Sequence, residues 1–389
     1  MVIKEKNRLW KPAVAFSIPV IVMLSVYACL GIFPWGDHAI LTIDLNNQYI
    51  SFFSYLREML SGERGFFYSF SKILGGDMAG LNAYYLMSPL NLLLLPFSRE
   101  QLPIAIELIT LIKLGLCGLT FFLCITGNRR WQGLIFSTAY ALMAYNIVYQ
   151  QNIMWLDSVV LLPVIARGIC RITEGKAPFL YLLSLFGAIV TNYYIGFMIC
   201  IFSVLFFCYQ YACAGKDNRW KLSVLLRYGA ASLLGGGLAM WIILPALKSL
   251  SGGKAVFDLS LLTMTKVFPL RDFLLKFFIG SFDYGQVVTS QPENYIPLPN
   301  IYCGMITLFF AGLFFINRTI KWRRKIGAIL LLLVLVLSFY LKGLNMVWHG
   351  FNEPTWFPYR FSFLFSFMLL SQLHYWQACW LRKAGHMIS

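Results

Sequence analysis

The chain has 389 residues, of which 59% are hydrophobic and only 12% are charged. This composition excludes an ordinary soluble domain, in which roughly a quarter of the residues are charged, and it predicts a polytopic membrane protein. The net charge of +16 comes from basic residues scattered over loops, which indicates contact with anionic lipid headgroups and does not favour nucleic-acid binding.

Long apolar runs predict about ten membrane-spanning helices, since about 20 apolar residues cross a bilayer. The first run, 12–36, is predicted to be a retained helix because it is too long for a cleaved signal peptide. Other charge-free runs are 132–156, 177–215, 228–247, 295–317 and 361–381, and weaker candidates are 103–126, 158–172 and 326–341. The run 177–215 is long enough for two spans, with "TNYY" (191–194) as the turn.

Basic clusters fall at every second span boundary, which predicts that both termini are cytoplasmic. The clusters lie at the N-terminus and at 129–130, 167–176, 216–221, 318–325 and 382–383. This alternation requires 84–97 to be an interfacial or re-entrant helix and not a full span. It makes 35–102 and 248–295 long outer segments, in which 47–62 and 261–282 are predicted to be amphipathic surface helices. About twelve of the 16 acids fall in outer loops, so we expect chemistry on the outer face.

Several classes of site have no motif in the sequence. The nine cysteines lie mostly in predicted spans without a C-x-x-C pair, which indicates packing thiols and neither a disulfide framework nor a zinc site. The sequence contains neither the phosphate-binding motif G-x-x-x-x-G-K-S/T nor the dinucleotide-binding motif G-x-G-x-x-G after a strand. It therefore offers no motif for a nucleotide-driven reaction. Without a repeat or a separate soluble domain, 1–389 is predicted to be one transmembrane domain.

A series of motifs carries a family resemblance. The motifs are "DLNNQYISFFSYLREMLSG" (44–62), "YSFSKILGGDMAGLNAYYLMSPLNLLLLPF" (68–97), "NIMWLDSVVLLPVIARGI" (152–169), "TNYYIGF" (191–197) and "FPYRFSFLFSFMLL" (357–370). A long outer loop that begins with acids after the first helix resembles the GT-C superfamily of membrane glycosyltransferases. Together the motifs resemble YfhO-type bacterial membrane proteins, which are assigned to cell-envelope sugar transfer, including glycosylation of teichoic acids.

The resemblance implies an all-α, GT-C-like bundle with surface helices on the outer face of the bacterial cell membrane. It implies an inverting hexosyltransferase that moves a sugar from a polyprenyl-phosphate carrier to an envelope acceptor such as teichoic acid. The acceptor hydroxyl must lose a proton, which a carboxylate can accept. The departing phosphate needs cationic donors, for which arginine is geometrically suited. Because no nucleotide sugar takes part, no metal or other cofactor is required in principle.

Two acids are the candidate catalytic residues by their places in the matched motifs. Asp44 is the candidate base, and the alternative is a solvated loop acid that caps a surface helix. Asp157, which ends "NIMWLD", is where a second GT-C carboxylate would stand, and the alternative is a boundary acid in interfacial water. Gln48 and Tyr49 are expected to bind sugar hydroxyls, although a membrane-interface anchor is the alternative for the tyrosine.

A further candidate for substrate binding lies just after the first predicted span. Asp37 precedes Asp44 by seven residues and shares its face if the segment is helical. With His38, Asp37 is also a candidate site for a divalent ion.

The "FPYR" and "TNYY" motifs supply the remaining candidates. Tyr359 and Arg360 begin the last predicted span, and Arg360 is expected to bind the carrier phosphate or to be a snorkelling anchor. Asn192 and Tyr193, with Tyr194, are expected to line the same cavity, and the alternative for the tyrosines is placement in an aromatic belt.

Charges inside a predicted span are functional candidates by default. Glu107 and Lys113 are six residues apart and on different faces of one helix, so each is expected to line the carrier groove or to meet a partner on another helix.

Two functions other than sugar transfer stay open. A transporter or flippase of lipid-linked precursors would show inverted repeats and broken helices, and a truncated, non-catalytic family member would show neither activity.

Overall fold

The computed structural model describes residues 10–72, 74–126, 131–215, 221–252, 260, 262–282, 296–354 and 356–372. The basic residues at 4–8, 129–130, 216–219 and 382–383, which carry part of the predicted orientation, lie outside these ranges. Within the described ranges the regular secondary structure is almost entirely helical. Its sheet is one antiparallel pair, β1 (Tyr68–Ser69) and β2 (Gly76–Asp77).

The connections between the helices vary in length, and those after α1, α11 and α12 are among the longest. In chain order they are α1 (Trp10–Cys29), α2 (Ile50–Leu60), α3 (Ala79–Leu81), α4 (Leu102–Phe121), α5 (Gln132–Ala141), α6 (Ala144–Val148), α7 (Ile153–Thr173), α8 (Phe179–Thr191), α9 (Tyr193–Ala212), α10 (Leu222–Leu238), α11 (Met240–Ser251), α12 (Leu270–Leu275), α13 (Met305–Ile316), α14 (Trp322–Tyr340), α15 (Lys342–Trp348) and α16 (Ser362–Gln372). Three π-helical segments, Leu45–Tyr49, Asn82–Leu86 and Phe122–Thr126, and a 3₁₀ helix, Pro89–Leu94, complete the set.

Four helices in the described ranges, α1, α4, α7 and α9, are long and apolar enough to cross a membrane. The pair α10 and α11, bent by 64°, makes a fifth if it is one broken span, and α8, α13 and α16 are apolar but shorter. Only 22% of the residues in the apolar window of α1 are buried, whereas 72% of those in the window of α7 are. These helices confirm the predicted all-α, polytopic membrane architecture, and the total of about ten spans stays a prediction.

The predicted span 132–156 is broken in the structure. It contains α5, α6 and the first turn of α7, and the predicted span 158–172 is the continuation of α7. The side-chain amide of Asn146 donates hydrogen bonds to the carbonyls of Tyr140 and Ala141, at 3.1 and 3.0 Å. These carbonyls lack helical partners at the end of α5, so the asparagine stabilises the break.

The predicted turn at "TNYY" is confirmed, because α8 ends at Thr191 and α9 begins at Tyr193. Asn192 between them is extended, and its side-chain oxygen accepts a hydrogen bond from the backbone N–H of Ile195 at 2.8 Å. This is an N-cap of α9. The two helices then pack closely, since a Cβ atom at Gly196 would lie 2.8 Å from the Cα atom of Ile189.

The two predicted surface helices have different outcomes. The segment 47–62 is helical, through the π-helical turn ending at Tyr49 and α2. The prediction for 261–282 is wrong, because only α12 is helical in the described residues 262–282. The backbone N–H of Val267 donates to the carbonyl of Tyr340, and that of Lys342 donates to the carbonyl of Thr265. Pairing with the end of α14 satisfies this backbone, and Pro269 disfavours a helical conformation in the residue before it.

The predicted interfacial segment 84–97 does not form one continuous helix. It contains part of the π-helical turn Asn82–Leu86 and the 3₁₀ helix Pro89–Leu94. Neither is long enough to cross a bilayer, for which about 20 residues are needed.

The orientation of the chain can be tested at the exposed ends of α2 and α11. Ser61→Cys and Ser251→Cys, at two exposed positions in the predicted outer segments, are each expected to react with an impermeant maleimide in intact cells. Thr319→Cys, exposed in the predicted cytoplasmic cluster 318–325, should react only after permeabilisation, and the parent protein gives the background from native cysteines. Protection of position 61 or 251 in intact cells would contradict the predicted topology.

Candidate functional site

Five tyrosines from distant parts of the chain form one cluster, called here the tyrosine cluster: Tyr49, Tyr84, Tyr85, Tyr193 and Tyr194. The ring centroids of Tyr85 lie 5.1 Å from Tyr49 and 4.6 Å from Tyr84. The ring of Tyr84 also lies 5.9 Å from Tyr193 and 6.0 Å from Tyr194. Two π-helical turns and the start of α9 supply these residues, so the cluster depends on the tertiary fold.

Asp44 lies at one edge of the tyrosine cluster and is partly buried. The Tyr49 hydroxyl, which has one hydrogen to donate, is 3.3 Å from a carboxylate oxygen of Asp44 and 2.9 Å from the side-chain oxygen of Asn152. Asp44 stands at the N-cap position of the π-helical turn but makes no capping hydrogen bond. The alternative assignment as a helix cap therefore has no contact to support it.

The backbone before Asp44 is unusual. Ile43 has φ +48°, a left-handed conformation that a β-branched residue rarely adopts. Such residues cost on the order of 1–3 kcal/mol and occur where the surroundings fix them, often at functional sites. The conformation turns the chain from the connection after α1 into the π-helical turn that carries Asp44.

Arg360 borders the tyrosine cluster at Tyr84 and Tyr194. Its guanidinium donates hydrogen bonds to the backbone carbonyls of Phe357 (3.2 Å) and Trp356 (2.8 Å) and to the Tyr84 hydroxyl (3.3 Å). The guanidinium carbon lies 5.2 Å from the centre of the Trp155 ring and 5.1 Å from that of Tyr194, which is cation–π geometry. In the described ranges no carboxylate forms an ion pair with Arg360.

Two residues in the loop before α16, which also carries Arg360, have strained backbone conformations. Phe357 and Tyr359 have φ +53° and +62°, each costing roughly 1–2 kcal/mol. Packing holds them, since Phe357 lies against Trp155 at 5.8 Å and Tyr359 against Phe339 at 5.8 Å between ring centroids. The turned backbone presents the carbonyls that accept hydrogen bonds from the guanidinium.

The two charges have opposite effects on one member of the cluster. Burial raises the pKa of Tyr85, and its hydroxyl lies within electrostatic reach of both Arg360, which lowers the pKa, and Asp44, which raises it. Burial also raises the pKa of Tyr49, so both hydroxyls stay protonated near neutral pH. A carboxylate and a guanidinium thus lie near the protonated hydroxyls of Tyr49 and Tyr85 without forming an ion pair with each other.

Asp157 belongs to a different contact. Its two carboxylate oxygens accept hydrogen bonds from the Lys113 ammonium at 2.6 Å and the Ser88 hydroxyl at 2.8 Å. Lys113 is 0% exposed and also donates to the carbonyl of Ile153 at 2.9 Å. Trp155, two residues before Asp157 on α7, faces Arg360, and positions two apart point to different helix faces. Asp157 therefore points away from Arg360. Lys113 meets a partner on another helix, which is one of the two expected outcomes, and Asp157 links α4 and α7 to the Ser88 segment.

The other in-span acid has no such partner. Glu107 is buried, and no lysine or arginine in the described ranges forms an ion pair with it. It does not pair with Lys113, as the separation of six residues predicts.

The "TNYY" and "FPYR" candidates lie in different surroundings. Asn192 is 0% exposed, and its amide nitrogen donates to the backbone carbonyl of Tyr84 at 2.8 Å, so it positions the tyrosine cluster. Tyr193 is a member of the cluster. Tyr359 is 1% exposed, and its ring packs against Phe268 and Phe339, so the structure places it in the apolar core behind Arg360.

The first-loop candidates are at the surface. Asp37 and Gln48 are exposed. The condition for Asp37 to share a helical face with Asp44 is not met, because the connection after α1 is not helical between residues 37 and 42. His38 lies 3.0 Å from the carbonyl of Leu30 through its Nδ1 atom. In the part of the chain that the structure describes, no three His, Cys, Asp or Glu side chains are grouped to hold a metal ion.

Four site residues are not identified from the sequence: Tyr84, Tyr85, Trp155 and His349. The Nδ1 atom of His349 lies 2.7 Å from the Tyr194 hydroxyl, and burial together with the Arg360 charge lowers the pKa of His349 well below its ordinary value. The histidine is therefore neutral near pH 7. The signal for the tyrosines is the repeated pair in "NAYY" and "TNYY", which membrane proteins also use as interface anchors.

The comparisons with known proteins give one match. The family model described as "Bacterial membrane protein YfhO" matches residues 15–376, nearly the whole chain. No curated protein and no solved structure matches the chain. The matched range includes every candidate residue from Asp37 to Arg360.

Proposed function

The chain belongs to the YfhO family of bacterial membrane proteins, and from this membership we propose that it is a GT-C-type glycosyltransferase of the bacterial cell membrane. It moves a hexose from a polyprenyl-phosphate carrier to a hydroxyl of a cell-envelope polymer, such as teichoic acid, on the outer face. Its partners are the lipid-linked donor, the polymer acceptor and the surrounding lipids.

The observation that carries the proposal is the state of Arg360. Arg360 is partly buried, and every acceptor of its hydrogen bonds in the described ranges is a neutral carbonyl or hydroxyl, so its charge has no anionic partner there. Arginine presents a fork of donors that matches phosphate oxygens. A phosphate group bound here would supply the missing negative charge.

The proposed reaction uses the two charged residues beside the tyrosine cluster. The acceptor oxygen attacks the anomeric carbon and forms the new glycosidic bond, while the bond from that carbon to the phosphate oxygen breaks. The electron pair of the broken bond stays on the polyprenyl phosphate, where Arg360 stabilises it. The proton of the acceptor hydroxyl passes to Asp44. Attack opposite to the leaving phosphate inverts the configuration at the anomeric carbon.

The other predicted residues support this arrangement in different ways. The Tyr49 hydroxyl lies 3.3 Å from the Asp44 carboxylate and 2.9 Å from the side-chain oxygen of Asn152, so its one hydrogen is shared between these two acceptors. Tyr193 and the exposed Gln48 and Asp37 are proposed to contact sugar or acceptor hydroxyls. Asp157 enters the proposal through the Ser88 segment, which follows the tyrosines of the second π-helical turn.

One observation favours the transporter alternative. The 64° bend between α10 and α11 is a broken span of the kind that transporters use to form binding sites. The stretch 228–247 around this bend contains no Asp, Glu, Lys or Arg, however. Asp44 and Arg360 lie instead beside the tyrosine cluster, which favours catalysis.

Arg360→Gln tests the proposal. In proteoliposomes with a labelled polyprenyl-phosphate hexose, we expect transfer at limiting donor to fall roughly 10- to 100-fold, since a hydrogen bond to a charged group contributes about 1.5–3 kcal/mol. Arg271→Gln, at a side chain that is 85% exposed, is the matched control and should transfer like the parent. Transfer by Arg360→Gln at the parental rate would contradict the assignment of Arg360 to the carrier phosphate.

A further inference from the structure

The hydroxyl of Tyr84 has an unusual set of hydrogen bonds. Its oxygen accepts from the indole N–H of Trp155 at 3.2 Å and from the guanidinium of Arg360 at 3.3 Å. Both groups are donors only and have no lone pair to offer. The hydroxyl hydrogen of Tyr84 therefore has no acceptor among the side chains and carbonyls of the described residues.

The surrounding contacts hold this hydroxyl in place. The amide of Asn192 binds the backbone carbonyl of Tyr84 at 2.8 Å, and the ring packs against Tyr85 on one side and Tyr193 on another. Two donors on the oxygen direct its hydrogen away from Trp155 and Arg360. Tyr84 is only partly buried, so a ligand can reach the hydrogen.

The charge beside Tyr84 defines the acceptor that fits. Arg360 contributes one positive charge without a carboxylate partner in the described ranges. The hydroxyl and the guanidinium nitrogen are 3.3 Å apart, so they can meet neighbouring oxygens of one phosphate group. A neutral acceptor would leave the guanidinium unneutralised, whereas an anionic oxygen satisfies both donors.

We infer that Tyr84 is a substrate-binding residue whose hydroxyl donates a hydrogen bond to a phosphate oxygen of the polyprenyl-phosphate donor while Arg360 binds the same phosphate. This inference rests on the proposed function for the identity of the ligand. Trp155 and Asn192 are positioning residues, because the first holds the hydroxyl oxygen and the second holds the backbone. When the bond from sugar to phosphate breaks, the two donors stay on the oxygens that gain charge.

Binding of a short carrier phosphate tests the inference directly. With purified protein and farnesyl phosphate as the probe, Tyr84→Phe is expected to weaken binding on the order of 10- to 100-fold, the effect of losing a hydrogen bond to a charged group. Tyr228→Phe removes a hydroxyl that is hydrogen-bonded to Ser203, between α9 and α10, and should bind like the parent. Equal binding of the probe by Tyr84→Phe and the parent would overturn the inference.

A second measurement separates a donating hydroxyl from one that only accepts. Replacing Tyr84 by 3-fluorotyrosine keeps its shape but makes the phenol a stronger donor and a weaker acceptor. If the hydroxyl donates to phosphate, farnesyl phosphate should bind several-fold more tightly. Weaker or unchanged binding would show that the oxygen serves only to hold Trp155 and Arg360, and it would overturn the inference even if Tyr84→Phe is poorly folded.

Other ligands distinguish the sources of the phosphate. Farnesol, inorganic phosphate and phosphatidylglycerol vesicles are expected to bind more weakly than farnesyl phosphate, and equal binding of any of them would overturn the assignment of the lipid carrier as the ligand. The outcome is separable from the proposed function. Tyr84-dependent binding of farnesyl phosphate without any sugar transfer would support the inference and contradict the glycosyltransferase.

Discussion

Asp44→Asn is expected to reduce sugar transfer by roughly 10²- to 10⁴-fold, the usual contribution of a general base. The substitution keeps the size of the side chain and an oxygen that can accept from Tyr49, but it removes the group that takes the proton from the acceptor. The loss should therefore appear in turnover and not in donor binding, folding or membrane insertion.

The measurement is the transfer rate of the purified variant from a polyprenyl-phosphate hexose at saturating donor. Asp37→Asn should lose less, since Asp37 is exposed and has a supporting role in the proposal. Asp272→Asn, in an exposed ion pair with Arg271, is the matched control with parental activity. A parental rate for Asp44→Asn would refute Asp44 as the base.

Lys113→Met is expected to lower the free energy of unfolding by about 3–5 kcal/mol, because it leaves Asp157 as a buried charge without its partner. The pair lies between α4 and α7 with Lys113 0% exposed. The double variant Lys113→Met, Asp157→Leu should recover much of the loss, since replacing a whole buried pair by apolar residues is often nearly neutral.

Thermal or denaturant unfolding in detergent measures both effects. Lys176→Met is the control, because the Lys176–Glu174 pair has the same 2.6 Å separation but side chains that are 51% and 42% exposed. It should change stability by no more than about 1 kcal/mol. Equal losses for Lys113→Met and Lys176→Met would contradict the role of the buried pair.

The double variant also tests the predicted catalytic role of Asp157. Both carboxylate oxygens of Asp157 are engaged, so a role in holding the Ser88 segment predicts that a folded double variant still transfers sugar. Transfer that is lost in a stable double variant would support Asp157 as a second catalytic carboxylate.

Composition and local motifs predict the membrane architecture well, because crossing a bilayer imposes long apolar helices on any chain. The turn at Asn192 follows from a polar cap residue inside an apolar run, which is a local signal. The break between α5 and α6 does not, since it depends on Asn146 reaching back to the end of α5. The extended stretch around Val267 depends on pairing with α14, more than 70 residues away in sequence, so its helical periodicity misleads.

The candidate site divides in the same way. Asp44 and Arg360 are recognisable because charges are rare in this chain and each falls in a matched motif. Tyr84 and Trp155 resemble the many aromatic residues that membrane proteins place at their interfaces. Their role becomes visible only when the donors and acceptors around one hydroxyl are counted in three dimensions.

The most direct test of a shared site for Asp44 and Arg360 is a structure of the protein with a polyprenyl-phosphonate sugar analogue. We predict phosphonate oxygens within hydrogen-bond distance of Arg360 and Tyr84, and the anomeric carbon on the side of Asp44. Arg167 and Arg324 line another cavity of about 450 Å³, and Arg167 is twelve residues beyond Trp155 on α7, roughly 18 Å along the helix. A phosphonate bound there, with the tyrosine cluster empty, would contradict the proposed site.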